Sequence, residues 1–178
     1  GIIVLGVITA VGGGILRDLI IGNIPPNMFQ NPAYVSTAFL TVLILFLLFR
    51  RWPFLLENRY LESYEKIMNI LDAIGLGAFT VTGIDTGIKS GYNEFYFLII
   101  FLGVITGIGG GILRDIMVGE TPFVLRKHIY ACASISGACL HVLLLQFIPS
   151  NYAMLLGALL IIMIRILASH YRWNLPSV

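Results

Sequence analysis

Two pairs of adjacent charged residues stand inside apolar segments, and they offer the most chemistry in the sequence. Arg17 and Asp18 are neighbours in one segment, and Arg114 and Asp115 are neighbours in another. An ionisable group near the bilayer centre costs about 2.5–3.5 kcal/mol on insertion scales, so such groups usually face the protein interior and are paired. Adjacent residues of a helix point about 100° apart. We therefore expect each arginine to pair with a carboxylate on another helix, with snorkelling to the membrane interface as the alternative.

A run of three glycines precedes each charged pair by about one helical turn. The runs are Gly12, Gly13 and Gly14, and Gly109, Gly110 and Gly111. A glycine in a helix interior costs about 1 kcal/mol relative to alanine, so each triplet predicts a kink or a break. Broken backbone at membrane depth must face protein or water, where free carbonyl groups could coordinate a cation and half-helix N-termini could attract a carboxylate. Close helix packing is the alternative role of the triplets.

Other polar residues in the apolar segments carry weaker signals. Thr9 and Thr106 precede the triplets by three residues, and Asp72 lies in a third segment. These three are candidates to line a polar path, although the threonine hydroxyls could instead bond helix carbonyls. We interpret His141 as a packing residue with satisfied ring nitrogens, with a proton relay as the alternative. We expect Arg165 to snorkel towards the membrane surface.

The elements that carry these residues must be membrane helices. The chain of 178 residues is 58% hydrophobic and 11% charged, with a mean hydropathy of +0.92, whereas soluble domains have about 25% charged residues. A bilayer-spanning helix needs about 20 mostly apolar residues. Six segments of roughly that kind are Gly1–Gly22, Tyr34–Phe49, Ile67–Ile88, Phe95–Val118, Ile129–Ile148 and Tyr152–Ser169.

Several other functional classes lack a signature in this sequence. There is no HExxH motif and no phosphate-binding loop of the Walker type. Cys132 and Cys139 are seven residues apart on one predicted helix, about 10 Å, which is too far for a disulfide. The net charge of only +2 does not indicate the strongly basic surface of a nucleic-acid-binding protein. We therefore predict no enzymatic activity, no cofactor, no resident metal and no nucleic-acid partner.

The two glycine-rich segments are copies of one another. Gly6–Gly22 reads GVITAVGGGILRDLIIG and Gly103–Gly119 reads GVITGIGGGILRDIMVG, with twelve of seventeen positions identical at an offset of 97. Proline follows both copies within a few residues, at Pro25 and Pro122. The identity is too high for chance, so the sequence indicates an internal duplication.

The basic residues of the predicted loops give the two copies opposite orientations. With alternating helices, seven fall on one side of the membrane and only Lys89 on the other. The seven are Arg50, Arg51, Arg59, Lys66, Arg126, Lys127 and Arg172. The positive-inside rule makes their side, and with it the C-terminus, cytoplasmic. The copies are then antiparallel, which is the inverted-repeat architecture of many transporters.

We therefore predict one all-α transmembrane domain over residues 1–178, with the glycine-broken helices at its centre. Residues 1–49 form the first repeat, 50–66 a cytoplasmic linker, 67–148 the second repeat, and 149–178 the final helix and tail. The second repeat has three helices and the first shows two. The offset of 97 places the missing partner before Gly1, so we expect an absent N-terminal helix and seven spans, of which six are visible here.

The doubled GGGILRD motif, followed by proline in both copies, resembles the prokaryotic trimeric intracellular cation (TRIC) channels. Related bacterial sequences carry a glycine-transporter domain. The resemblance extends from Gly1 to about Ser169. It implies a homotrimer in membrane lipid, at the prokaryotic inner membrane. It also implies a pore in each subunit, permeable to potassium and sodium and lined by the two helices with the glycine triplets.

Three functions remain open from the sequence. The first is a passive monovalent cation channel, for which Arg17 and Arg114 must be paired so that they do not repel cations. The second is a secondary transporter of a small amino acid such as glycine, because half-helix N-termini and arginines would suit a carboxylate. The third is a structural membrane scaffold, which leaves the buried charges unexplained.

Overall fold

The computed structural model describes residues 1–51, 58–126 and 128–171, and these residues form helices and no strands. The helices are α1 (Ile2–Ile20), α2 (Asn27–Gln30), α3 (Pro32–Arg51), α4 (Asn58–Gly87), α5 (Tyr96–Met117), α6 (Phe123–Arg126), α7 (His128–Leu144) and α8 (Ser150–His170). A π-helical turn, Ile88–Tyr92, extends α4. The prediction of an all-α fold is confirmed.

Four stretches within the described residues are long and apolar enough to cross a membrane. They are Ile2–Ile20, Lys66–Tyr92, Tyr96–Met117 and Ser150–His170. Two further apolar helices, Pro32–Leu48 and Ile129–Leu144, are shorter. Together these six stretches correspond to the six predicted spans, and large apolar side chains cover much of their outer surface.

The internal duplication is visible in the helix order. An offset of 97 residues relates α1 to α5, the short α2 to α6, and α3 to α7. Gly22 and Gly119 both have a positive φ, at 73° and 76°, which ends α1 and α5 in the same way. The N–H of Asn23 bonds the Asp18 carbonyl at 2.8 Å, and that of Glu120 bonds the Asp115 carbonyl at 2.9 Å. This pattern is the Schellman motif, for which glycine at the positive-φ position is favoured.

Helices α1 and α5 cross in van der Waals contact at their glycines. A Cβ atom on Gly13 would overlap the carbonyl oxygen of Thr106, and one on Gly110 would overlap that of Thr9. The two contacts are equivalent under the 97-residue offset, as a twofold axis requires. From one contact to the other, the chain advances four residues along α1, from Thr9 to Gly13, and goes back four residues along α5, from Gly110 to Thr106. The two helices are therefore antiparallel. The predicted inverted repeat is therefore present in this central pair.

The prediction that each triplet breaks its helix is wrong, and a kink stays a prediction. Both α1 and α5 remain helical through Gly12–Gly14 and Gly109–Gly111. Because glycine has no side chain, the triplets let the two helices approach closely, and they do not break the helices. An unbroken helix also keeps its backbone hydrogen bonds satisfied at membrane depth, where water is absent.

The predicted linker, residues 50–66, is helical wherever the structure describes it. Arg50 and Arg51 end α3, and the chain is in α4 from Asn58 onwards. Residues 52–57 lie outside the described residues, as do Lys127 and Arg172, two of the basic residues used for the orientation.

The final helix, α8, packs against α4 and α7. His141 of α7 is fully buried there, against Gly157 of α8, and its two ring nitrogens find no hydrogen-bond partner among the described residues. Its burial agrees with a packing role, but within those residues the two ring nitrogens lack the partners that a satisfied packing histidine would have.

Candidate functional site

Each intramembrane arginine pairs with the aspartate that follows it in the sequence. Arg17 Nη2 lies 2.8 Å from Asp18 Oδ1, and Arg114 Nη2 lies 2.9 Å from Asp115 Oδ1. In both pairs the arginine Nε also donates to that oxygen, at 2.9 Å. The expected pairing with another helix is therefore wrong. Adjacent residues of a helix point in different directions, but the arginine side chain is long enough to reach the carboxylate of the next residue.

The second oxygen of each aspartate holds the chain segment that follows the helix. Asp18 Oδ2 accepts the backbone N–H of Asn27 at 2.8 Å, and Asp115 Oδ2 accepts that of Phe123 at 2.7 Å. Both aspartates are buried. Each carboxylate thus neutralises an arginine and also fixes the start of a short helix, α2 or α6.

Two cavities adjoin the charged pairs and correspond under the repeat. The first, of about 350 Å³, is called the α1 cavity and is lined by Gly14, Arg17, Asp18 and Thr106 together with α4 residues. The second, of about 100 Å³, is called the α5 cavity and is lined by Gly111, Arg114, Asp115 and Thr9 together with α4 residues. Each cavity therefore combines a charged pair of one repeat with the threonine of the other.

The three glycines of each triplet have different environments. Gly12, Gly13, Gly109 and Gly110 are buried in the contact between α1 and α5. Gly14 and Gly111 instead line the cavities, and a Cβ atom on them would lie 3.7 and 3.8 Å from the guanidinium of Arg17 and Arg114. The packing role thus applies to the first two glycines of each triplet.

The threonine hydroxyls bond helix carbonyls, and both threonines also line a cavity. The Thr9 hydroxyl donates to the Leu5 carbonyl at 2.7 Å, and the Thr106 hydroxyl donates to that of Leu102. Thr9 also lines the α5 cavity and Thr106 the α1 cavity. Their carbonyl oxygens lie in the helix crossing.

Asp72 lines the α5 cavity but is not a free carboxylate. Its Oδ2 accepts a hydrogen bond from Arg165 Nη2 at 2.8 Å, and its Oδ1 accepts one from the Tyr130 hydroxyl at 3.2 Å. Arg165 is only 8% exposed, and its guanidinium lies 4.5 Å from the Tyr130 ring centroid. The prediction that Arg165 snorkels is wrong, because α8 brings it to a carboxylate on α4.

Sequence reasoning missed the parts of this site that depend on distant segments. Arg165 and Asp72 are 93 residues apart, and no local pattern connects them. Phe79 borders both cavities, yet one aromatic residue in an apolar helix gives no signal. In the part of the chain that the structure describes, no three His, Cys, Asp or Glu side chains cluster as metal ligands.

Comparison with known proteins places the chain in a family. The family model described as glycine transporter matches residues 1–50 and 69–146. The UPF0126 inner membrane protein YadS of Escherichia coli (strain K12) is 32% identical over 99% of this chain and 82% of its own length. The UPF0126 membrane protein YvgT of Bacillus subtilis (strain 168) is 33% identical with the same coverage. These relatives are membrane proteins.

Solved structures give the same result. One described as the structural basis for conductance through TRIC cation channels has a TM-score of 0.85 and 33% identity, covering 99% of this chain and 82% of that one. The trimeric intracellular cation channel orthologue from Rhodobacter sphaeroides has a TM-score of 0.81 and 34% identity, covering 96% and 83%. The similar proteins named here are described as membrane proteins or cation channels, in agreement with the prediction that the chain is not an enzyme. The chain is therefore an integral membrane protein of the family that includes the UPF0126 proteins and the prokaryotic TRIC channels.

Proposed function

We propose that the protein is a monovalent cation channel that conducts potassium, and also sodium, through each subunit of a homotrimer. The observation that carries this proposal is the neutralisation of both intramembrane arginines. Arg17 and Arg114 each lie within 3 Å of a carboxylate oxygen, so neither cavity presents an unpaired guanidinium to a cation.

Beside the charged pairs, the cavities are lined by threonine hydroxyl oxygens and by glycines. Gly14, Gly111, Thr9 and Thr106 line the two cavities beside the charged pairs. Hydroxyl and carbonyl oxygens can replace part of the hydration shell of a cation in a channel. The proposed ion path therefore runs along α1, α5 and the face of α4 that borders both cavities.

Assembly and location are part of the same proposal. The solved relatives are named as trimeric channels, which supports a homotrimer for this chain, embedded in lipid. A relative named as an inner membrane protein supports the prokaryotic inner membrane. The cytoplasmic C-terminus rests on the positive-inside rule.

The second candidate is a transporter of a small amino acid such as glycine, which the description of the matching family model favours. A carboxylate substrate would need unpaired positive groups or half-helix N-termini. The helices continue through both triplets, and both arginines already have carboxylate partners. These observations favour the channel.

Currents and uptake, measured on one preparation, separate the two candidates. The purified protein is reconstituted in a planar bilayer between unequal potassium chloride solutions, and the same sample is placed in liposomes with labelled glycine. We expect discrete openings that reverse near the potassium equilibrium potential, and no saturable uptake. Saturable glycine uptake without unitary currents would establish the transporter instead.

A further inference from the structure

One face of α4 runs past both cavities. Asp72, Gly75 and Phe79 line the α5 cavity, and Phe79, Thr82 and Thr86 line the α1 cavity. Their spacing of three and four residues places them on a single face of the helix. From Asp72 to Thr86 this face extends about 21 Å, a large part of the roughly 30 Å hydrocarbon core.

Phe79 is the one residue shared by the described linings of the two cavities. On one side of it along this face are Gly75 and Asp72, and on the other are the hydroxyls of Thr82 and Thr86. The first two glycines of each triplet bring α1 and α5 into contact. The apolar ring therefore stands at the junction of two compartments that both have polar groups.

An apolar constriction can stop ions without a charge, because water leaves a narrow apolar space and an ion then loses its hydration. We propose that Phe79 is this constriction: its side chain separates the α1 cavity from the α5 cavity and limits the passage of cations between them. The inference rests on the proposed channel function and assigns the barrier in its path to one side chain.

Single-channel conductance tests the assignment. Phe79→Ala is expected to raise the unitary potassium conductance severalfold, and Phe79→Trp to lower it. Phe101→Ala is the matched control, because Phe101 is 45% exposed, close to the 43% of Phe79, and lines neither cavity. An unchanged conductance in a Phe79→Ala protein that elutes like the unsubstituted protein would overturn the proposal.

Thiol labelling tests the barrier without any current, so it stays informative if the channel function fails. Thr82→Cys is introduced on the α1-cavity side, after Cys132 and Cys139 are replaced by alanine. A charged thiol reagent is then applied only on the membrane side that the α5 cavity faces. We expect slow modification with Phe79 present and severalfold faster modification with Phe79→Ala. Equal rates in the two proteins would contradict a barrier at Phe79.

Discussion

At the scale of single residues, the intramembrane charges are organised by local pairing. Asp18 and Asp115 each accept hydrogen bonds from an arginine through one oxygen and from a backbone N–H through the other. One carboxylate thereby compensates a buried cation and anchors the following segment. Removing its charge while keeping its shape separates these two roles.

Asp18→Asn is expected to reduce cation selectivity. The amide oxygen can still accept the N–H of Asn27, but Arg17 loses its counter-charge. Near a protein surface, unit charges 4 Å apart interact by roughly 4 kcal/mol, so a cation passing the uncompensated guanidinium is repelled. The reversal potential in a potassium chloride gradient should move towards that of chloride. The double variant Arg17→Gln with Asp18→Asn should restore it, and a reversal potential unaltered by Asp18→Asn alone would refute the role of the pair.

Asp72→Asn is expected to destabilise the protein. Arg165 is 8% exposed and would keep its charge without a carboxylate, and a buried group left without its partner costs about 1–3 kcal/mol or more. The control is Asp85→Asn, because its partner Lys89 has a 75% exposed side chain and an exposed ion pair contributes about 0–1 kcal/mol. Thermal unfolding in detergent should show a clear loss of Tm only for Asp72→Asn. Equal losses of Tm in the two variants would show that the bond between Asp72 and Arg165 stabilises the protein no more than the exposed pair does.

At the scale of the helix, the glycine triplets allow close packing and do not break the helices that carry them. Each triplet places two glycines in the crossing of α1 and α5 and one beside a cavity. By helix propensity alone, each glycine of the triplet destabilises its helix by about 1 kcal/mol relative to alanine. The close contact between the two helices, which larger residues would prevent, offsets this loss of helix stability.

Gly13→Ala and Gly14→Ala should differ strongly although the residues are adjacent. The methyl group at position 13 would overlap the Thr106 carbonyl, whereas at position 14 its nearest neighbour is the Arg17 guanidinium at 3.7 Å. Overpacking typically costs about 1–3 kcal/mol, so Gly13→Ala should lower the Tm. Gly14→Ala should leave it unchanged or raise it, because alanine is the better helix former. The same ranking should hold for Gly110→Ala against Gly111→Ala. If both members of a pair behaved alike, the crossing would not depend on these contacts.

At the scale of the whole molecule, the inverted repeat forms two cavities with equivalent linings. The same charged pair, glycine and threonine occur in each cavity, and the twofold relation of α1 and α5 gives the cavities opposite directions. Helix α8 joins the second repeat through Arg165 and Asp72. In the proposed orientation, which places the basic residues on the cytoplasmic side, the two ends of the proposed path open to opposite sides of the membrane.

This orientation can be tested with impermeant thiol reagents on intact cells. Lys89→Cys and Arg126→Cys replace exposed side chains, 75% and 51% exposed, in a chain whose Cys132 and Cys139 are changed to alanine. We expect labelling of Lys89→Cys from outside and labelling of Arg126→Cys only after the cells are opened. Labelling of Arg126→Cys on intact cells would reverse the orientation.

Features that are local or periodic can be read from the sequence without the structure. The apolar segments, the duplication at an offset of 97 and the basic residues of the loops are sufficient to predict an all-helical membrane protein with inverted copies. They also identify the glycines, threonines and charged pairs that meet at the cavities. These features follow from hydrophobicity and from identity between two stretches, so no knowledge of distant contacts is needed.

The roles of those residues depend on how the helices pack together. Whether a glycine triplet breaks its helix or packs it depends on the opposing helix, and the contact of Gly13 with Thr106 settles it. The partner of Asp72 depends on α8, and the place of Phe79 depends on where two cavities meet. The physical reason is that propensity assigns energies to residues one at a time, whereas packing and charge compensation depend on groups that are brought together only when the helices assemble.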